Sequence, residues 1–205
     1  GLRRSFSSAA EVSEAETIAM GDAPENNDSL TETVQIEAPT QPAPIVCVMD
    51  SGIQEEHKYL APAISSDESI SLLPNNTGIS DEVAGGGHGT RVAGAVLYPK
   101  TIPLDGVYQL PCWIRNMRIL DENNCLPENV YPPKAIAIAV QKYNVENPIP
   151  TKIFNHSIGS RRSCEMKHMT PWAAEIDSQS YNHDVLFIQA AGNISTDVIS
   201  AYWQA

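Results

Sequence analysis

Short apolar runs and segments with helical periodicity alternate along most of the chain. Four runs rich in apolar and β-branched residues predict strands at 45–49, 114–120, 152–158 and 185–188, the last as a buried strand. Turn residues follow three of these runs, at Asp50-Ser51-Gly52, at Gly159 and at Gly192-Asn193.

Three helices are predicted between these strands. The first covers residues 88–97, and Thr170-Pro171 starts the third with an N-cap residue and a proline at the first helical position. The alternation of strands and helices predicts an α/β fold with a doubly wound, mostly parallel sheet and helices on both faces. The second helix is indicated by apolar residues that recur on one helical face, Ile136, Ala139, Val140 and Tyr143.

Residues 1–44 differ in composition from the rest of the chain. They hold eight acidic residues against two arginines and close with Pro39, Pro42 and Pro44, a composition typical of a linker. We therefore predict an acidic, proline-containing segment over 1–44 and a folded domain over 45–205. The alternation of polar and apolar residues at 34–37 leaves a short edge strand open.

Charge and hydropathy exclude several classes of function. The formal net charge of −12 argues against binding to nucleic acid, whose phosphates attract clustered lysine and arginine. No apolar run approaches the roughly 18 residues of a membrane helix, so no membrane contact is predicted. Residues 1–20 lack the apolar core of a signal peptide, although a chain that begins with glycine leaves a lost targeting segment open.

The cysteines are scattered and form no C-x-x-C pair. Cys47 lies inside the first apolar run and is expected to be a buried thiol. We expect reduced thiols and a cytoplasmic protein, with a disulfide between two of the other cysteines and secretion as the alternative. The other three are Cys112, Cys125 and Cys164.

Several chemically capable residues fall at one edge of the predicted sheet. In parallel α/β sheets, ligands bind outside the carboxyl ends of the strands. Asp50 follows the first strand, Ser157-Ile158-Gly159 closes the third, and Asn193 follows the last. His88 opens a crossover helix, and such helices begin at that same edge. A carboxylate, an imidazole and an amide on one edge are suited to acyl transfer.

These residues lie in segments that resemble the motifs of the subtilase family of serine proteases. The order of aspartate before histidine, 38 residues apart, is also that of the family, and the similarity spans roughly residues 44–194. The segments are Val48-Met49-Asp50-Ser51-Gly52-Ile53, His88-Gly89-Thr90-Arg91-Val92-Ala93-Gly94, Asn155-His156-Ser157-Ile158-Gly159 and Ala190-Ala191-Gly192-Asn193.

The resemblance implies a role for each residue. Asp50 orients His88, which takes the proton of a serine hydroxyl and returns it to the leaving amine. Asn193 donates its amide to the oxyanion of the tetrahedral intermediate. Ser157, Ile158 and Gly159 pair backbone to backbone with an extended polypeptide substrate.

One part of the family pattern is missing from the sequence. Subtilases carry their nucleophile in a Gly-Thr-Ser-x-Ala segment, and no such segment occurs in the 205 residues. We therefore expect a subtilisin-like catalytic domain truncated at its C-terminus, with residues 1–44 as a linker or propeptide remnant. The intact protein is expected to be a serine endopeptidase and the fragment inactive; the alternative is a catalytically silent peptide-binding module.

Two other kinds of ligand were considered. The glycine run at 85–87 prompts a dinucleotide site, but it follows polar residues rather than a strand, and Val92 stands where the motif needs glycine. No carboxylate cluster indicates a metal, so no cofactor is predicted. Calcium stays open, because many subtilases bind it.

Overall fold

A parallel β-sheet forms the centre of the described part of the chain. The computed structural model describes residues 34–74, 78–85, 87–159, 168–191 and 200. Within them, five strands pair in the order β3-β5-β2-β6-β7, all parallel. The strands are β1 (Gln35–Glu37), β2 (Ile45–Asp50), β3 (Ile70–Ser71), β4 (Val107–Gln109), β5 (Trp113–Arg118), β6 (Ile153–His156) and β7 (Leu186–Gln189).

Helices cover both faces of this sheet. They are α1 (His88–Leu97), α2 (Pro132–Val140), which continues as one π-type turn over Gln141–Val145, and α3 (Pro171–His183). Successive residues of β2 alternate between the two faces: Cys47 and Met49 pack in a core with α2 and α3, whereas Val46 and Val48 pack in a core with α1. The predicted α/β fold, doubly wound and mostly parallel with helices on both faces, is confirmed.

Local sequence explains where the helices begin. The hydroxyl of Thr170 accepts a hydrogen bond from the backbone N–H of Ala173, which confirms the predicted cap of α3. Pro132 and Pro133 occupy the first turn of α2, where a missing N–H costs nothing. Tyr143, predicted on the face of the second helix, is fully buried in the turn that follows it.

A second, two-stranded parallel sheet joins β1 to β4. Gln35 pairs with Val107 and Glu37 with Gln109, and Ile36 packs against the α1 core. The strand left open by the alternation at 34–37 is therefore present. The compact unit of the described residues begins at Val34, and the division of the chain between residues 44 and 45 stays a prediction. The role of residues 1–33, which lie outside the described residues, stays a prediction.

Strand β7 departs from expectation in its burial. We predicted a buried strand over 185–188, but Leu186 is 58% and Ile188 is 51% exposed. β7 is the last strand of the described sheet, so within the described residues it has a neighbouring strand on one side only, and the face that carries Leu186 and Ile188 is left exposed. Val185, just before the strand, is buried as predicted.

The cysteines that the structure describes are free thiols. Cys47 is fully buried, as predicted, and its pKa is raised by burial. Cys112 and Cys125 are also free, and Cys164 lies outside the described residues.

Among the helices that the structure describes, none has both the length and the apolar character to span a membrane.

Candidate active site

Asp50 and His88 meet at the carboxyl edge of the sheet. Asp50 is the last residue of β2 and His88 the first of α1, and the ring Nδ1 of His88 lies 2.7 Å from Asp50 Oδ1. Asp50 is fully buried, whereas the His88 side chain is 38% exposed. A buried carboxylate thus holds one side of an imidazole whose other side is reached by solvent.

Backbone contacts fix Asp50 in this position. Its Oδ1 also accepts a hydrogen bond from the backbone N–H of Ser51 at 2.7 Å. Its carbonyl oxygen accepts the N–H groups of Ile119 and Leu120, the two residues that follow β5. The carboxylate is therefore attached to a rigid strand end rather than to a mobile loop.

The hydrogen bond to Asp50 determines the protonation of His88. Because a carboxylate only accepts, Nδ1 carries the proton and Nε2 keeps a lone pair that can take another. The pKa of His88 is raised, chiefly by this hydrogen bond, while partial burial acts in the opposite direction. The charges of Asp50 and Asp81 raise the pKa further, and that of Arg91 lowers it.

Glycine is required where α1 approaches β2. A Cβ atom at Gly89 would overlap the carbonyl oxygen of Gly52 and would crowd the side chain of Asp50. Gly87, directly before His88, has a φ of 76°, a left-handed conformation that glycine adopts without strain. Glycine at this position therefore allows the bend of the backbone directly before His88.

Asp81 is a buried residue of this region that the sequence analysis did not single out. It is 4% exposed, and its carboxylate accepts hydrogen bonds from Ser51 and from Thr90, on either side of the Asp50–His88 pair. The signal that could have found it is an aspartate a few residues before a helix that has glycine at its N-cap.

The predicted substrate-binding residues leave the sheet beside Asp50. His156, the last residue of β6, pairs with Met49, so Ser157 continues from the strand next to the end of β2. Ser157 is half-buried, Ile158 is buried and Gly159 is exposed. The Ser157 hydroxyl accepts a hydrogen bond from the Asn155 side chain at 2.6 Å.

A buried histidine lies behind this segment. His156 is 1% exposed, and its Nδ1 lies 2.6 Å from the side-chain oxygen of Gln189 in β7. The Gln189 amide in turn donates to the carbonyl oxygens of Ile158 and Ala190. The pair therefore connects the substrate-binding segment with the chain just before residues 192–193. Asn193 itself lies outside the described residues.

Among the residues that the structure describes, no group of three or more His, Cys, Asp or Glu side chains is arranged to hold a metal ion. The expectation that the protein uses no cofactor stays a prediction.

Comparison with known families identifies the same region. The sequence matches the model of the subtilase family over residues 41–204, which includes every predicted site residue. No curated protein matches the sequence.

Solved structures of proteases share the fold. A psychrophilic protease designated S41 is 25% identical with a TM-score of 0.52, and 82% of this chain covers 50% of that one. The nisin leader peptidase of Lactococcus lactis is 18% identical with a TM-score of 0.50, and the match covers 82% of this chain and 49% of the peptidase. A serine protease of Aeromonas sobria, solved with its chaperone, is 19% identical with a TM-score of 0.53, and the match covers 73% of this chain and 25% of that protease. The chain spans half or less of each of these proteins.

Proposed function

This chain belongs to the subtilase family, and from that premise we propose that it is part of a serine endopeptidase that hydrolyses polypeptides through an Asp–His–Ser triad. Asp50 and His88 are two members of the triad. The 205 residues contain no Gly-Thr-Ser-x-Ala segment, so the proposal assigns the nucleophile to a segment outside them.

The observation that carries the proposal is the hydrogen bond of 2.7 Å between His88 Nδ1 and the buried Asp50 carboxylate. It leaves Nε2 as the free base at a partly exposed position, which is what the activation of a serine requires. A histidine that merely satisfied a buried acid would not need a partly exposed side chain at the carboxyl edge of the sheet.

The proposed reaction assigns one step to each group. Nε2 of His88 accepts the proton of the serine hydroxyl as its oxygen bonds to the substrate carbonyl carbon, and Asp50 stabilises the imidazolium. His88 then gives that proton to the leaving amine, and a water molecule repeats the sequence to release the acid. Asn193 donates to the oxyanion, and Ser157–Gly159 hold the extended substrate.

A phosphonate probe tests the proposal in the whole protein. Fluorophosphonates bond covalently to a serine only when it is activated, and mass spectrometry then locates the modified residue. We expect labelling and cleavage of a fluorogenic peptide, both abolished by His88→Ala and both retained by His183→Ala, a control histidine at the end of α3. If the wild-type protein binds peptides but is neither labelled nor active, it is the catalytically silent module.

The 205-residue chain by itself is expected not to cleave casein detectably. Loss of the nucleophile of a serine protease costs about 10⁶ in kcat. Robust turnover by the pure chain that disappears in His88→Ala would show that the nucleophile lies within these residues and that its assignment here is wrong.

A further inference from the structure

The segment 78–83 crosses beside the start of α1 and carries Asp81, whose carboxylate is an acceptor on both oxygens. Oδ1 accepts from the Ser51 hydroxyl at 2.9 Å and from the Val83 N–H at 3.2 Å. Oδ2 accepts from the N–H of Thr90 at 2.8 Å and from its hydroxyl at 2.9 Å. Asp81 is 4% exposed, so these bonds are little weakened by competition with water.

Asp81 supplies the cap that α1 lacks in its own sequence. The N-cap residue is Gly87, which has no side chain to accept the first free N–H groups. The N–H of Thr90, the third residue of the helix, is satisfied by Asp81 instead. A negative charge at a helix N-terminus also interacts favourably with the helix dipole.

One hydroxyl joins this cap to the catalytic strand. Ser51 follows Asp50, and its Oγ donates to Asp81 while accepting the N–H of Gly89 at 2.9 Å. Gly89 follows His88. Ser51, next to Asp50, is thus bonded to the Asp81 carboxylate directly, and Gly89, next to His88, is connected to it through the Ser51 hydroxyl.

Fully buried residues of β5 hold the segment that carries Asp81. The Asn116 amide donates to the carbonyl oxygen of Ile79 at 3.0 Å. Arg118 donates to the carbonyl oxygen of Gly78 at 3.0 Å and to the Glu82 carboxylate at 2.7 Å. Because Asn116 and Arg118 belong to the central sheet, the segment that carries Asp81 is bonded to the sheet as well as to the helix that Asp81 caps.

We propose that Asp81 is a positioning residue that holds His88 in register with Asp50 by capping α1 and bridging it to Ser51. Its contribution to catalysis rests on the proposed function, but the geometric role does not. The carboxylate touches neither the imidazole nor a substrate position, so it acts through the helix start and through its charge.

Electrostatics give the role a signature that simple support of the fold would lack. The charged groups that act on the pKa of His88 are Asp50 and Asp81, which raise it, and Arg91, which lowers it. Removal of the Asp81 charge is therefore expected to lower the pKa of His88, and looser placement of the ring against Asp50 acts in the same direction.

The decisive variant is Asp81→Asn, which keeps the shape and removes the charge and half of the acceptors. Its matched control is Asp67→Asn, an aspartate that lines a cavity with Ile45 and Trp113 at the opposite, amino edge of the sheet. We expect NMR titration of the 205-residue chain to give a lower pKa of His88 in Asp81→Asn only. In the whole protein, kcat should fall by about 10- to 100-fold with little change in KM, as misplacement of a catalytic group does.

The outcomes separate this proposal from the proposed function. A lower pKa of His88 in a protein without protease activity would support the positioning role and contradict the protease. An unchanged pKa and kcat, or a lower melting temperature alone, would overturn the positioning role. If Asp81→Asn does not fold, Thr90→Val replaces it, because valine removes the hydroxyl bond to Asp81. Thr90→Val should lower kcat more than Thr90→Ser, which keeps the hydroxyl. Equal effects of the two variants would also overturn the positioning role.

Discussion

His88 carries two demands at the level of single residues. It must be neutral to accept a proton, yet the carboxylate that orients it also favours its charged form. The raised pKa of His88 is the consequence, and for the proposed protease it predicts an acid limb of activity above the pH at which an ordinary histidine titrates. The buried position of Asp50 makes the orientation rigid at that cost.

Replacing Asp50 by asparagine is expected to separate these effects. The amide keeps the shape but cannot hold the proton on Nδ1, so kcat in the whole protein should fall by about 10⁴. The pKa of His88 should also fall, because the hydrogen bond that raises it most is altered. Activity assays and NMR titration measure the two effects. Wild-type kcat in a folded Asp50→Asn protein would contradict the assigned role.

A second prediction concerns Asn193. If its amide stabilises the oxyanion, the contact strengthens as charge develops, so Asn193→Ala should lower kcat by about 10²–10³ with little change in KM. Asn144→Ala is the control, because the Asn144 amide donates to the carbonyl oxygen of Thr151 and its loss should lower the melting temperature instead. Unchanged kcat in a folded Asn193→Ala enzyme would remove the oxyanion assignment.

How far the site could be predicted differs from residue to residue. Asp50 and His88 stand in contiguous motifs, and the topology of parallel sheets brings a strand end and a crossover-helix start to one edge. Asp81 had no such signal. Aspartate is a common loop residue, and Asp81 bonds to Thr90, nine residues ahead in the sequence, and to Ser51, thirty residues before it, contacts that only the folded chain defines.

At the level of secondary-structure elements, β6 and β7 are joined by side chains as well as by their backbones. The His156–Gln189 contact lies between the last residues of the two strands, and Gln189 continues to the carbonyl oxygen of Ile158. The rings of His156 and of Trp172 in α3 also form a T-shaped pair, with centroids 5.2 Å apart. A polar pair thus replaces apolar packing next to the predicted substrate-binding segment.

This pair predicts a loss of stability in acid. The pKa of His156 is lowered, chiefly by burial, while the hydrogen bond to Gln189 and the charge of Asp50 act in the opposite direction. The unfolded chain therefore takes up this proton at a higher pH than the folded chain. The contribution is complete above the unfolded pKa and is lost as the pH falls through the folded one. For His88, with its raised pKa, the sign is opposite: stability is lost as the pH rises.

Urea unfolding of the chain at about pH 7.5 and about pH 5 measures the effect around the ordinary titration of histidine. The free energy of unfolding should fall more in the wild type than in His156→Phe, which cannot take up the proton. His183→Gln controls for the removal of a histidine. The same loss in all three proteins would show that His156 does not titrate as proposed.

Strand and helix positions were predictable mainly where the pattern is long. The helix predicted at 88–97 is α1, and the first and third predicted strands match β2 and β6 to within two residues. Strands β3 and β4 have two and three residues, too few to show a period. The burial of β7 was predicted wrongly because an apolar run does not indicate how many neighbours a strand has.

At the scale of the whole molecule, the two edges of the sheet have different content. The carboxyl edge holds Asp50, His88 and the predicted substrate-binding segment. The amino edge holds Arg115, which is 3% exposed and bonds to Glu68 at 3.0 Å and to Thr151 at 2.8 Å. A buried charge of this kind is costly when its partner is removed, so we assign this network to the stability of the fold.

The exposed face of β7 leads to the last prediction. Leu186 and Ile188 alternate along the strand and so share one face, which we name the β7 patch; they are 58% and 51% exposed. An apolar face on an edge strand favours association, so the 205-residue chain should bind a hydrophobic dye and form oligomers.

Leu186→Lys with Ile188→Lys should reduce both dye binding and oligomer formation with little change in melting temperature, because neither side chain is buried. Leu104→Lys is the control, an apolar side chain that is 86% exposed outside the sheet. A monomer without dye binding, or an equal effect of Leu104→Lys, would show that the β7 patch does not drive association.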